Sequence, residues 1–127
     1  MRKYQQDVKN WCVTCFGETT ATDTAERSWR FMEEALELVQ SLGMTDEQVK
    51  QLVDYVYSRE VGEPGQEVGG VMVTLSALVA ASGLDLEECA LTELNRINQP
   101  HIIEKIRAKH ARKPHKSPLP GDYKYAK

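Results

Sequence analysis

Residues 26–42, ERSWRFMEEALELVQSL, decide how the chain is read. At about 100° per residue, Phe31, Met32, Ala35, Leu36, Leu38, Val39 and Leu42 fall on one apolar arc covering roughly half the circumference of a helix. Glu33, Glu34 and Glu37 lie just outside that arc, with Arg30 among them. Glu34 and Glu37, three residues apart, are neighbours on one helix surface. Acids crowded in this way repel one another unless a cation sits among them, and hard dications take oxygen ligands of this kind.

Outward from this helix the punctuation is that of further helices. Upstream, residues 4–16 carry Val8, Trp11, Cys12 and Cys15 at helical spacing, with Gly17 as the expected stop and GETTATDTAE as a loop. Thr22, Asp23 or Thr24 can cap the helix that follows. Downstream, Gly43 ends the organising helix, and Thr45 with Gln48 forms a capping-box pattern ahead of Leu52, Val53, Val56 and Tyr57. A Pro-Gly turn at about 59–65 precedes a run from Gln66 to Ser82 that is apolar almost all round. Such a helix belongs in the centre of a fold or in a subunit interface. Gly83 ends it, Asp85 caps LEECALTELNRIN, and Pro100 opens a last helix through about Arg112. No strand pair and no repeat is found. The fold class is all-α, a bundle of about five to six helices over residues 1–113. A basic, Pro-containing tail follows at 114–127.

Length and composition fit that reading. The 127 residues suffice for one domain, and 41% hydrophobic with 28% charged residues is an ordinary globular balance. No apolar run reaches the ~18 residues of a membrane span, and MRKYQQDVKN has no apolar core of a secretory signal. Three cysteines fit a reducing compartment, so the expected location is cytoplasmic, with no membrane partner; no nucleic acid is expected because the body is acidic, the rival reading being a helical interaction protein whose basic C-terminus contacts nucleic acid. The net charge of −3 is divided unevenly. Residues 104–127 hold eight Lys or Arg against two acids, a charge of +6, which leaves −9 for the remainder. An acidic body suits divalent cations, and a basic end suits phosphates.

The constellation with most chemistry joins Glu34 and Glu37 to Glu67, which opens the apolar helix where the helix dipole favours an anion. Glu63 stands four residues earlier, in the Pro-Gly loop. The alternative is that Glu67 merely offsets the dipole. Among the cations, Lys105 and Lys109 share a face of the last helix, Arg107 points elsewhere, and Arg30 sits one turn before Glu34. Trp29 and Trp11 are the only indoles on which a purine could stack, although core packing suits both. Trp11-Cys12-Val13-Thr14-Cys15 matches the W-C-x-x-C pattern of thioredoxin-like sites. It lies on an expected helix with no strand before it, so a redox role is discounted. The cysteines and histidines show no zinc-ligand spacing.

EExxE on an amphipathic helix, followed by an acid opening an apolar helix, resembles the all-α nucleoside triphosphate pyrophosphohydrolases of the MazG type. That superfamily includes the dimeric dUTPases and phosphoribosyl-ATP pyrophosphohydrolase. The resemblance covers about residues 26–112. RFMEEALELVQSLG, VGEPGQEVGGVMVTLSALVAASGLD and KIRAKHARKPHKSPLP are most similar to MazG-like proteins of bacteriophages and proteobacteria. Phage members of the MazZ type cleave purine deoxynucleotides, notably dGTP, to supply a modified purine. The resemblance implies a metal-dependent diphosphatase that takes a (deoxy)purine triphosphate, dGTP or GTP first, to the monophosphate and pyrophosphate. It implies Mg²⁺ or Mn²⁺ as cofactor, Glu34, Glu37, Glu67 and Glu63 as metal ligands, and Glu33 as ligand or base. Arg30, Lys105, Arg107 and Lys109 would hold phosphates, Trp29 or Trp11 the base, and the assembly would be a homodimer or dimer of dimers. The sequence departs from the family pattern at Gly70, where an aspartate is expected. Glu63, Asp54, Glu60 or water would have to replace it. Otherwise the chain is a catalytically impaired nucleotide sensor or a broad-specificity house-cleaning hydrolase.

Overall fold

A computed structural model describes residues 1–112 and 117–119. It contains six helices: α1 (Arg2–Ala21), α2 (Thr24–Ser41), α3 (Asp46–Tyr57), α4 (Pro64–Ala81), α5 (Leu86–Ile97) and α6 (Pro100–Ala111). Among the described residues there is no strand, so the all-α expectation holds. Most of the tail expected at 114–127 lies outside the described residues. The chain divides into two compact units, Met1–Leu36 with Glu93–Lys127, and Glu37–Thr92.

In the first unit, α1 differs from expectation. Gly17 does not end it but breaks it, at φ 83° and ψ 165°, and the helix resumes as far as Ala21. The expected loop shrinks accordingly. Thr22 closes the resumed turn through its amide and its hydroxyl, both donating to the Glu18 carbonyl, and Asp23 starts α2 by accepting from the amides of Ala25 and Glu26. In an unbroken helix the Thr14 carbonyl would accept from the amide four residues on. Here the Arg107 guanidinium on α6 donates to it, at 2.6 Å from Nη2 and 3.2 Å from Nε. Phe16 packs edge-on between Trp11 and His110, with Arg27 over its face. The Trp11 indole N–H donates to the Ile97 carbonyl at the end of α5 (2.9 Å). Among the described residues, Cys12 and Cys15 of α1 and Leu94 of α5 are the buried hydrophobic ones.

In the second unit the helix ends follow local rules. Gly43 and Gly83 both take positive φ, and the residue after each returns an amide to a carbonyl of the last turn, Met44 to Val39 and Leu84 to Val79. Thr45 and Gln48 form the reciprocal capping box. Asp85 caps α5 through the Glu88 amide. Glu63 caps α4, with Pro64 at the first helical position.

No residue of this second unit is buried. The apolar helix is expected in the centre of the fold or in a subunit interface, and within this unit it is not covered. Nothing on α4 is buried, and Val68 and Val73 are 65% and 70% exposed. The apolar side of α3 (Leu52, Val53, Val56, Tyr57) is exposed as well. No single helix among the described residues is long and apolar enough to cross a membrane; α4 and α5 reach that length and composition only together, and are bent by 100°.

Candidate functional site on the acidic edge of α2

α2 carries its acids as the periodicity predicts. Glu34 and Glu37 are exposed, one turn apart, and Glu33 is half-buried beside them. Glu33 and Glu34 have different electrostatic settings. Glu33 accepts from Arg30 Nη1 at 3.2 Å. Glu34 lies within electrostatic reach of Arg96, whose pKa is raised first by its hydrogen bonds to Glu93 and only in small part by Glu34.

Arg30 is heavily engaged. Besides Glu33 it pairs with Glu26 at 3.4 Å. Its Nη2 donates to the carbonyls of Ser117 (3.3 Å) and Pro118 (3.0 Å). Before it could meet a phosphate it would have to leave these partners. Glu26 and Arg27 did not stand out in the sequence pattern, yet both belong to this cluster. Glu26 pairs with Arg27 as well as Arg30, and Arg27 donates to the Cys12 sulfur. Nε and Nη2 of Arg27 and Nε of Arg30 are buried without a hydrogen-bond acceptor, so the nearby Glu26 carboxylate carries much of their compensation. The one-turn Glu26–Arg30 spacing was the available signal.

In the second unit, Glu63 and Glu67 sit at the N-terminus of α4. Both oxygens of Glu63 are used as a cap, accepting from the amides of Gly65 (2.9 Å) and Gln66 (2.8 Å). Those amides hold its carboxyl below the usual glutamate range. The Glu67 carboxylate lies against Gly62, so closely that a β-carbon there would collide with it. Gly70 lies one turn further along α4, with open space where a side chain would project. Asp54 on α3 and Glu60 in the loop before α4 are both exposed.

Of the expected phosphate contacts, Arg107 is tied to Thr14, whereas Lys105 and Lys109 are exposed one turn apart on α6. Of the two indoles, Trp11 is built into packing by its bond to Ile97, and Trp29 is half-buried. The W-C-x-x-C motif sits in mid-helix with both thiols buried and free, and burial pushes the Cys15 thiol up, the direction of an unreactive sulfur.

Among the described residues no three His, Cys, Asp or Glu side chains form a group able to hold a metal ion. The donor chemistry of the α2 edge nevertheless suits a hard dication, because Mg²⁺ commonly uses one or two carboxylates and takes its other ligands from water and substrate phosphates. Glu34 and Glu37 supply such a pair. Comparisons with protein-family models, with curated proteins and with solved structures gave no match.

Proposed function

We propose that the chain is a metal-dependent nucleoside triphosphate pyrophosphohydrolase with a MazG-like helical build. The substrate would be a purine (deoxy)nucleoside triphosphate, dGTP first, which water splits to the monophosphate and pyrophosphate in a cytoplasmic setting (host cytoplasm for a phage-encoded chain). The observation that carries this reading is the exposed Glu34–Glu37 pair on α2, a two-carboxylate ligand set of the kind that Mg²⁺ or Mn²⁺ shares with a polyphosphate. When bound, the ion supplies charge neutralisation at the phosphate oxygens and a lowered pKa for bound water.

The chain's own residues divide the remaining work. Glu34, Glu37 and Glu67 offer carboxylate oxygens. Glu33, held by Arg30, orients water or accepts its proton. Lys105 and Lys109 present two ammonium groups from one helix face to the polyphosphate. The working unit is a homodimer or dimer of dimers, supported by the exposed apolar sides of α3 and α4.

Pyrophosphate release from a panel of triphosphates, with Mn²⁺ present, tests this. Glu37→Gln keeps the size of the side chain and removes its charge, so turnover is expected to fall on the order of 10²-fold or more. Undiminished turnover in that variant overturns the assignment. Gly70, which supplies no ligand on α4, favours one second reading, a nucleotide sensor without catalysis. Wild-type chain that binds triphosphate but releases no pyrophosphate selects it.

A further inference from the structure

We propose that the C-terminal segment Ser117–Leu119 is a built-in competitor for polyphosphate at Arg30, docked on α2 in the free chain and displaced when a phosphate takes its place. This rests on the reading of the α2 edge as a polyphosphate site and adds a regulatory contact to it.

Arg30 divides its guanidinium between two kinds of partner. Nε lies 3.4 Å from the Glu26 carboxylate, and Nη1 donates to Glu33 at 3.2 Å. Both acids stand one turn away on α2 itself, so the helix keeps them within reach. Nη2 is spent differently. It donates to two main-chain carbonyls, Ser117 at 3.3 Å and Pro118 at 3.0 Å, which lie 87 and 88 positions along the chain. Among the described residues, these are the only hydrogen bonds from the segment to the rest of the chain. Inside the segment the Ser117 hydroxyl accepts from the Leu119 amide at 3.2 Å, which shapes the turn. Leu119 is half-buried and Pro118 exposed. The segment is therefore held by Arg30 and by the cover over Leu119, and weakening either loosens it.

Two observations make phosphate the group that exchanges with it. The first is the acceptor set. Two oxygens at 3.0 and 3.3 Å from one guanidinium nitrogen are an arrangement that a phosphate group can also present. A phosphate oxygen is charged where a carbonyl is not, and charge-assisted hydrogen bonds are roughly twice as strong as neutral ones. The second is place. Glu33 and Glu34 stand one turn beyond Arg30, so a polyphosphate shared with a metal on that edge reaches the guanidinium. With the segment docked, the Arg30 side chain is only 15% exposed, which leaves little of it open to a phosphate beside the segment. The two carboxylates stay, and the carbonyls are what gives way.

The experiment uses the full chain and inorganic tripolyphosphate with Mn²⁺, beside Mn²⁺ alone. Trypsin cleavage of the Lys116–Ser117 bond is followed by mass spectrometry, because a protease needs the Ser117 side of that bond undocked. Leu119→Asn removes the apolar anchor without adding charge, and its cleavage is expected to be at least about tenfold faster than in wild type. Tripolyphosphate should speed cleavage of the wild type towards that rate and leave the variant unchanged. Titration calorimetry gives the second readout: Leu119→Asn should bind tripolyphosphate at least about threefold more tightly, because no competitor has to be displaced. A wild-type segment cut as fast as the variant's is not docked, and one that stays protected with tripolyphosphate present is a structural strap. Either result overturns the proposal, as does equal or weaker tripolyphosphate binding by the variant. Neither readout depends on turnover. A segment released by tripolyphosphate in an inactive chain leaves the competition standing while the hydrolase reading fails, and turnover in a chain whose segment ignores tripolyphosphate removes the competition alone.

Discussion

At Gly17 the backbone takes φ 83° with ψ 165°, a combination open almost only to glycine. Beside this break the Thr14 carbonyl accepts from Arg107, a bond that ties α1 to α6. Gly17→Ala should lower the midpoint of chemical denaturation by an amount equivalent to about 1–3 kcal/mol, measured by circular dichroism. A glycine near the end of a periodic stretch reads equally well as a stop or a break, which is why the sequence pattern led to a stop. The difference lies in Arg107, 90 residues away, and local spacing does not report it. Glu63 poses a similar ambiguity. As a carboxylate in a Pro-Gly loop it looked like a spare ligand, whereas both its oxygens cap α4.

The helices themselves were legible because their signals are local. Thr45 with Gln48, Asp85, Pro100, Gly43 and Gly83 each act within a turn of where they stand, and each acts as its residue type predicts, whereas Pro64, read as part of the turn at about 59–65, opens α4. The apolar run of α4 was equally plain, but hydrophobicity says that a surface wants cover and not what covers it. The acidic edge divides in the same way. That Glu34 and Glu37 are neighbours, and that Glu26 and Glu33 flank Arg30, follows from helix geometry, whereas its further partners, the carbonyls of Ser117 and Pro118, lie where no spacing rule reaches. The cap on α4 also predicts a pH response. The folded-state pKa of Glu63 lies below its ordinary 4.5, so its contribution is full above about pH 4.5 and is lost as pH falls through the depressed value. Asp46 and Glu93, lowered by Lys50 and Arg96, act in the same direction. Thermal melts between pH 6 and pH 3 should show falling stability, and Glu63→Ala should make the fall shallower.

For the molecule as a whole, the proposed homo-oligomer would make stability a property of the assembly. A chain stabilised by its own copies melts at a temperature that rises with protein concentration. Differential scanning over a hundredfold range of concentration should show that rise, and a flat series would refute self-association. The placement of the two tryptophans bears on how such melts are followed. Trp11 and Trp29 both belong to the unit formed by Met1–Leu36 and Glu93–Lys127, and the Glu37–Thr92 unit has none. Indole emission therefore watches one half of the polypeptide and is blind to the other, while peptide-bond absorption sees every helix alike. A gap between the two optical signals on heating would mean that the halves come apart in sequence, and a single shared curve that they stand or fall as one.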